Sequence, residues 1–499
     1  MTMQDDLPIH NTLERQLNEM ALAAGRKRQS KQTGFIHYFY PEPEDDLSQT
    51  IPVAENVWFI LALLRSKTGE QIAEAKDSLE RLLYFQNPLD GNFPVYMHEY
   101  PHCKDKFFGA QLLPAFYYIL KEFHAVLGVD LRHRLESAIS HLLSFLLKAY
   151  TEQASTYSIG LKIAAAAKML GIELKNKAFG TYGEQLLQQL LSIKMQAAWF
   201  IPSFIADICI ALQLAYTHIQ HSEWLAFWQH LAATWHAPTK SYIGPWLKLY
   251  QARDEPQPTL YDLYLGYFGK EFSSRALKEA AYHLQAVQIR PTGEFLPVKS
   301  LPFTFAGSWQ ESRWLTHQEK TFAYSLIDKK ALFKGFEENA FHPLSIIWGN
   351  EHKVHSFVCQ KSNWENLEFN IKDQEIELDF ALSAVPELEE REKCRELSFF
   401  FDVDPTAEIS LEGQLASTFE LGETFILNTS HIALSLRIVK EAGEGKFMGH
   451  LMRGNRSSQN QLKGINRFQS YDWNVFIRTL RREATCKLKV RLQIMRCVD

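Results

Sequence analysis

A dense group of titratable and aromatic residues lies between a predicted helix that ends at Asn87 and one that begins near Asp105. Within 13 residues this loop holds two acids, two histidines, two tyrosines and an amide: Asp90, Asn92, Tyr96, His98, Glu99, Tyr100 and His102. Loops on a rigid scaffold are where binding and catalytic side chains concentrate. The density predicts a functional loop; the alternative is a long connection whose aromatic rings pack on the surrounding helices.

The same loop matches a zinc-binding pattern, since His98–His102 reads H-E-x-x-H. Zinc chemistry needs the two histidines one helical turn apart on one face of an α-helix. Pro101 removes a backbone donor, and its ring clashes with the carbonyl four residues earlier. We therefore predict that this segment is not an α-helix and that it holds no metal.

A second group contains five tyrosines within residues 242–267. Buried phenol hydroxyls need hydrogen-bond partners, so five of them are costly to satisfy in a dry core. This group predicts substrate contact, with Trp246 and Arg253 among the contacting side chains. The alternative is a helical core stripe, because Tyr261, Tyr264 and Phe268 recur at helical spacing.

A third group follows at Trp309, Glu311, Arg313, Trp314, His317 and Glu319. The planar fork of Arg313 suits a carboxylate, and a histidine such as His317 can move a proton near neutral pH. The alternative is a strip of salt bridges and packed indoles between two domains.

The elements that must position these groups follow from the hydrophobic period. From Val53 to about Val287, apolar residues recur every three or four positions, as at Leu135, Ile139, Leu142 and Leu146. Helices come in pairs of roughly 40–50 residues, a spacing that fits an open solenoid or a closed toroid. Long polar and aromatic connections at 90–106 and 242–261 favour the toroid.

Beyond about residue 330 the period becomes two, as at Leu397, Phe399 and Phe401. Regular alternation indicates antiparallel strands with one buried face. The sequence thus predicts an α+β multidomain chain. Its parts are an N-terminal helix and linker over 1–50, an α/α toroid of helical hairpins over 51–290, an aromatic-rich seam over 291–329, and an antiparallel β-sandwich over 330–499.

Composition excludes several classes of function. A net charge of −5 and a pI near 6.4 argue against nucleic-acid binding, and no apolar run spans a membrane. Six scattered cysteines and a polar N-terminus predict free thiols and a cytoplasmic protein, with a processed secreted form left open. No phosphate-binding glycine loop or nucleophile elbow occurs, so no cofactor is predicted. The oligomeric state stays undecided.

A helical toroid, an aromatic seam and a β-sandwich in this order resemble the heparinase II/III-like polysaccharide lyases. Local similarity lies in Arg313–Leu326, RWLTHQEKTFAYSL, and in His342–Phe357, HPLSIIWGNEHKVHSF. The resemblance implies cleavage of a uronic-acid-containing oligo- or polysaccharide by β-elimination. It implies Tyr and His as proton carriers, with Asn, Arg or His neutralising the substrate carboxylate.

On this basis Arg313 is predicted to neutralise the carboxylate, and His98 and Tyr261 to carry protons, with His317 as a substitute for either. Positive charge from Lys248 or Arg253 would lower the pKa of a tyrosine base. The predicted sugar-holding residues are Asn92, Tyr96, Trp246, Trp309 and Trp314. Two alternatives remain: a glycoside hydrolase with Asp90 or Glu99 facing Asp262 or Glu311, and a non-catalytic carbohydrate- or protein-binding scaffold.

Overall fold

The computed structural model describes the chain in segments. They are residues 7–39, 49–153, 157–192, 210–215, 235–239, 241–244, 300–309, 312–328, 342–350, 354–360, 363–372, 375–383, 395–404, 406–453 and 473–496. Two compact units result: Met1–Trp228 with Gln257–Leu296, and Gln229–Pro256 with Pro297–Asp499. Of the predicted site residues, Trp246, Arg253, Tyr261, Asp262 and Glu311 lie outside the described segments.

The described part of the first unit is mainly helical. Its helices are α1 (Leu7–Arg28), α2 (Val53–Arg65), α3 (Gly69–Leu83), α4 (Leu113–Leu127), α5 (Val129–Glu152), α6 (Tyr157–Glu173) and α7 (Lys177–Ser192), with 3-10 helices at Met97–Glu99 and Phe108–Gln111 and a strand pair β1 (Tyr38–Phe39) and β2 (Gln49–Thr50). Consecutive helices pack on one another, as α2 on α3 and α6 on α7.

Hydrophobic spacing explains the helices. The α5 stripe at Leu135, Ile139, Leu142 and Leu146 is fully buried, which confirms the helical pattern predicted there. In the described segments no helix is long and apolar enough to span a membrane.

The second unit holds two large antiparallel sheets. Its strands are β3 (Trp235–His236), β4 (Ser241–Tyr242), β5 (Phe303–Trp309), β6 (Ser312–Gln318), β7 (Phe322–Ile327), β8 (Leu344–Gly349), β9 (Val354–Gln360), β10 (Trp364–Lys372), β11 (Glu375–Leu382), β12 (Arg395–Phe401), β13 (Glu408–Leu411), β14 (Thr418–Phe419), β15 (Thr424–Asn428), β16 (Ile432–Ala442), β17 (Gly445–Arg453), β18 (Trp473–Arg482) and β19 (Lys487–Arg496). Nine strands pair in the order β14-β17-β18-β12-β9-β8-β7-β6-β5, and six in the order β10-β11-β19-β16-β15-β13.

The two sheets share one hydrophobic core. Side chains that alternate along β9, β12 and β15 meet there, with the ring centroid of Phe425 lying 6.5 Å from that of Phe357 and 5.5 Å from that of Phe401. The period of two predicts that one set of side chains per strand enters this core; β12 is in addition buried on its other face, at Ser398 and Phe400.

The nine-stranded sheet begins at Phe303, inside the segment that the sequence sets apart as a seam. Polar residues hide the period of two in this segment. On β6, Trp314, Thr316 and Gln318 are buried on one face, while Arg313 is exposed on the other. Because polar side chains occupy both faces, hydrophobicity alone does not mark the strand.

Candidate functional site

The loop of residues 84–107, called the site loop below, joins the end of α3 to the 3-10 helix at Phe108. Backbone bonds attach it to the start of α2, from Met97 N to the Ile51 carbonyl at 2.9 Å and from Val53 N to the Val95 carbonyl at 3.0 Å. These bonds place Tyr96 and its neighbours against a helix start.

Asn87 organises the first turn of the site loop. Its Oδ1 accepts from the backbone N–H of Leu89 at 2.7 Å, and its Nδ2 donates to the carbonyl of Pro101 at 2.9 Å. Its backbone N–H donates to the carbonyl of Asn92 at 2.8 Å. One side chain thus joins the two ends of the functional stretch, which is how an asparagine replaces a backbone turn.

Asn92 is fully buried, and its amide nitrogen donates hydrogen bonds within the site loop. Its Nδ2 donates to the carbonyls of Asp105 and Lys106 at 3.0 and 3.4 Å. Gly91 beside it has φ +79, and a Cβ there would lie 2.8 Å from the Cβ of His141. The burial of Asn92 favours a positioning role over the predicted contact with a sugar.

Tyr96 and His98 form a stacked pair of rings in the site loop. Their rings lie nearly parallel, with centroids 5.7 Å apart and an interplanar angle of 9°. His98 is exposed and Tyr96 is partly exposed. A phenol and an imidazole therefore stand side by side at the protein surface, on backbone that is fixed by hydrogen bonds.

Glu99 closes the short turn that carries this pair. Its Oε2 accepts from the backbone N–H of Tyr96 at 3.4 Å, and its Oε1 lies 3.6 Å from Nζ of Lys104. The Lys104 side chain is 80% exposed, so its ammonium can also reach an external anion. The sequence reasoning missed Lys104; the signal was its place five residues beyond Glu99 in the same loop.

The H-E-x-x-H segment is not an α-helix, as predicted. Met97–Glu99 is a 3-10 helix, and Tyr100 at its end is extended, with ψ 138°. Tyr100 packs edge-on against Phe85, with centroids 5.9 Å apart. In the described segments no group of three or more histidine, cysteine or acidic side chains is arranged to hold a metal ion.

Cys103 lies among the acids of the site loop. Burial, then the charges of Asp90 and Glu99, raise the pKa of its thiol to about 11. A thiol in this environment stays protonated near neutral pH, so Cys103 is not an activated nucleophile. It is one of the free cysteines in the described part of the chain, with Cys359 and Cys486.

Arg313, in the second unit, already holds a carboxylate. Its Nε donates to Oδ2 of the buried Asp328 at 2.7 Å, and its Nη2 donates to the Phe369 carbonyl at 2.6 Å. The hydrogen bond to Asp328 raises the pKa of Arg313. The bidentate geometry predicted for Arg313 is present, but its partner belongs to this chain.

His317, which lies on β6 like Arg313, is half-buried and makes polar contacts. Its Nδ1 lies 2.7 Å from Oγ1 of Thr304, and its ring centroid lies 5.1 Å from that of Tyr324 on β7. Burial, then the positive charge of Arg496, lower the pKa of His317. Glu319 contacts both His317 and Arg496.

The two predicted seam tryptophans lie on neighbouring strands, Trp309 on β5 and Trp314 on β6. Trp314 is buried and packs on Gly307 and Phe305, with its ring centroid 5.0 Å from that of Phe305. Its burial does not favour the predicted stacking on a sugar ring. Trp309 is the last residue of β5, paired with Ser312.

Solved structures of polysaccharide lyases are similar to the chain over nearly its whole length. Chondroitin AC lyase from Streptomyces coelicolor A3, solved with chondroitin sulphate, is 11% identical at a TM-score of 0.48, covering 98% of this chain and 79% of that chain. Heparan sulfate lyase HepC from Pedobacter heparinus is 10% identical at 0.40, covering 97% and 83%. Xanthan lyase from Paenibacillus is 9% identical at 0.46, covering 99% and 57%. No protein-family model matches the chain, and no curated protein sequence matches it.

Proposed function

We propose that this chain is a carbohydrate-active enzyme that cleaves an acidic polysaccharide by β-elimination at the site loop. The observation that carries the proposal is the parallel Tyr96–His98 pair, on the short turn whose Glu99 contacts the exposed ammonium of Lys104. A phenol and an imidazole are the two proton carriers that the sequence resemblance implies. An aromatic pair at the surface also suits stacking on a sugar ring.

The reaction needs three groups from the protein: a base, an acid and a positive charge. A base removes the proton on the carbon beside the uronate carboxylate, and the electron pair of that C–H bond forms a C=C bond. The C–O bond to the leaving sugar then breaks, and its oxygen takes a proton. In the proposal the neutral imidazole of His98 is the base, and the phenol of Tyr96 protonates the leaving oxygen.

Positive charge must stabilise the carboxylate as electrons move toward it. The guanidinium of Arg313 is already hydrogen-bonded to Asp328. The proposal therefore assigns stabilisation of the substrate carboxylate to Lys104. Tyr261, Trp246 and Arg253 retain their sequence-based roles as a second proton carrier and sugar contacts. We also propose that the helices close into a toroid and that the two sheets pack as a β-sandwich.

The experiment is product analysis on a panel of uronic-acid polysaccharides. β-Elimination leaves an unsaturated uronide that absorbs in the near ultraviolet, whereas hydrolysis leaves saturated ends. His98→Gln should reduce turnover by about 10²–10⁴-fold, the usual contribution of a positioned base. His102→Gln is the matched control, since His102 is an exposed histidine of the same loop and should be dispensable.

Three results would contradict the proposal. Saturated products would make the chain a hydrolase. Binding of glycans without any turnover would make it a scaffold. Equal turnover by His98→Gln and the unsubstituted protein would place the chemistry elsewhere.

A further inference from the structure

The site loop carries an exposed aromatic side chain that the proposed reaction does not use. Tyr100 directly follows the 3-10 helix Met97–Glu99 and is 41% exposed to solvent. Tyr84 and Leu89 of the same loop are exposed large hydrophobic side chains as well. Single exposed apolar residues need no explanation, whereas a concentration of them on one part of a protein surface marks a binding site.

Contacts within the site loop fix the position of Tyr100. Its ring is perpendicular to that of Phe85, at 81°, with the two centroids 5.9 Å apart. Its backbone N–H donates to the carbonyl of Met97 at 3.2 Å. The carbonyl of the next residue, Pro101, accepts from Nδ2 of Asn87 at 2.9 Å. Because this ring is held before any ligand arrives, it loses little conformational freedom on binding.

Tyr84 is already engaged by a side chain of α5. Its hydroxyl accepts from Nη1 of Arg134 at 3.3 Å, and the guanidinium carbon of Arg134 lies 5.7 Å from the Tyr84 ring centroid, a cation–π distance. Tyr100 is held instead by an apolar ring, that of Phe85. Of the two exposed tyrosines, Tyr100 is therefore the better candidate for contact with a ligand.

Tyr100 also lies close to the proposed base. It is two residues beyond His98, so the Cα atoms of the two residues are within about 7 Å of each other. Both side chains are exposed, and both residues belong to the turn that Met97–Glu99 forms. A polymer that presents one sugar to His98 can therefore bring a neighbouring sugar to the ring of Tyr100.

We propose that Tyr100 stacks on the sugar ring next to the one that reacts at His98, and so forms a second sugar-binding subsite. The assignment of a polysaccharide as the ligand rests on the proposed function. Stacking on an aromatic ring buries the apolar C–H face of a sugar and needs no charge on it. This contact therefore differs in kind from that of Lys104, which attracts the carboxylate and is screened by salt.

The test is an equilibrium titration of the full-length chain with chondroitin sulphate and with polygalacturonate. It is carried out in the His98→Gln background, so that the polymer is not consumed. Tyr100→Ala should raise Kd by about tenfold through loss of the ring contact, and Tyr100→Phe, which keeps the ring, should leave Kd unchanged. Tyr182→Ala is the matched control, since Tyr182 is an exposed tyrosine on α7 that is hydrogen-bonded to Thr151 at 2.6 Å.

Two further readouts separate stacking from a loss of local structure. The ratio of the Kd of Tyr100→Ala to that of its parent should persist when salt is added, whereas the same ratio for Lys104→Gln should fall toward one. In the product assay with His98 present, Tyr100→Ala should raise KM and leave kcat nearly unchanged, because stacking acts on ground state and transition state alike. A distorted site loop would lower kcat as well, since His98 lies on the same turn.

Equal Kd values for Tyr100→Ala and its parent would overturn this inference, as would a Kd for Tyr100→Phe as high as that for Tyr100→Ala, or a fall in kcat as large as the rise in KM. No binding of either polymer would overturn it too. The outcome is separable from that of the proposed function. Binding that depends on Tyr100 without turnover refutes only the lyase, and turnover that is indifferent to Tyr100→Ala refutes only this subsite.

Discussion

Asp328 offers a sharp test of how the second unit is held together. Its side chain is fully buried, whereas that of Arg313 is 54% exposed. Its Oδ1 accepts from the backbone N–H of Phe369 at 2.8 Å, and its Oδ2 accepts from Arg313. Arg313 also donates to the carbonyl of Phe369. This contact ties the end of β7 to β10 in the other sheet.

The magnitudes follow from what each change leaves behind. Arg313→Gln leaves a buried carboxylate without its cation, which costs about 3–5 kcal/mol when fully buried and about 2–3 kcal/mol with Arg313 this exposed. Asp328→Asn keeps an acceptor for Phe369 but loses the charge, at about 2–3 kcal/mol. The double variant should cost about 3 kcal/mol, so the coupling energy is about 2 kcal/mol.

Hydrogen exchange of peptides from β6, β7 and β10, measured in the unfolding transition of this unit, gives the four free energies of the cycle. A two-unit chain has no single global unfolding free energy, so local readouts are required. Arg437→Gln is the control and should shift stability by less than about 0.5 kcal/mol. Additivity of the two substitutions within about 0.5 kcal/mol would refute the reasoning.

Three other perturbations follow from single observations. The side chains of Glu396 and Arg482 are both fully buried, and Arg482 Nε lies 2.7 Å from Glu396 Oε1, so Glu396→Gln should cost about 3–5 kcal/mol; unchanged hydrogen exchange in peptides of β12 and β18 would contradict this. Burial lowers the pKa of His342 to about 4 from 6.5, so stability is full above pH 6.5 and falls by about 3 kcal/mol between pH 6.5 and 4; hydrogen exchange of β8 peptides in His342→Gln should lack this fall. Gly91→Ala forces a side chain at φ +79 against His141, and faster proteolysis of the site loop with lower turnover should result; native protease resistance would argue otherwise.

Much of the local structure could be predicted from the sequence because it depends on neighbours along the chain. The α5 stripe follows from spacing at Leu135 and Ile139, and the strand pattern of β12 follows from alternation. Pro101 allowed the H-E-x-x-H segment to be separated from a helical zinc site for a purely local reason.

The site residues depend on contacts between distant positions, which period and composition do not encode. The hydrogen bond from Arg313 to the carbonyl of Phe369 joins residues 56 positions apart. The sequence around Arg313 therefore does not indicate that its guanidinium is already hydrogen-bonded. From the sequence, Asn92 is expected to be an exposed loop amide. In the structure it is buried and donates to the carbonyls of Asp105 and Lys106. Lys104 became a candidate because the structure places its ammonium 3.6 Å from Oε1 of Glu99.

The central claim is tested most directly by the near-ultraviolet absorbance of products formed from uronic-acid polysaccharides by the unsubstituted chain, His98→Gln and His102→Gln. The proposal predicts absorbance that grows with time in the first and third proteins and is lower by about 10²–10⁴-fold in the second. No absorbance from any polymer, or equal rates in all three proteins, would contradict it.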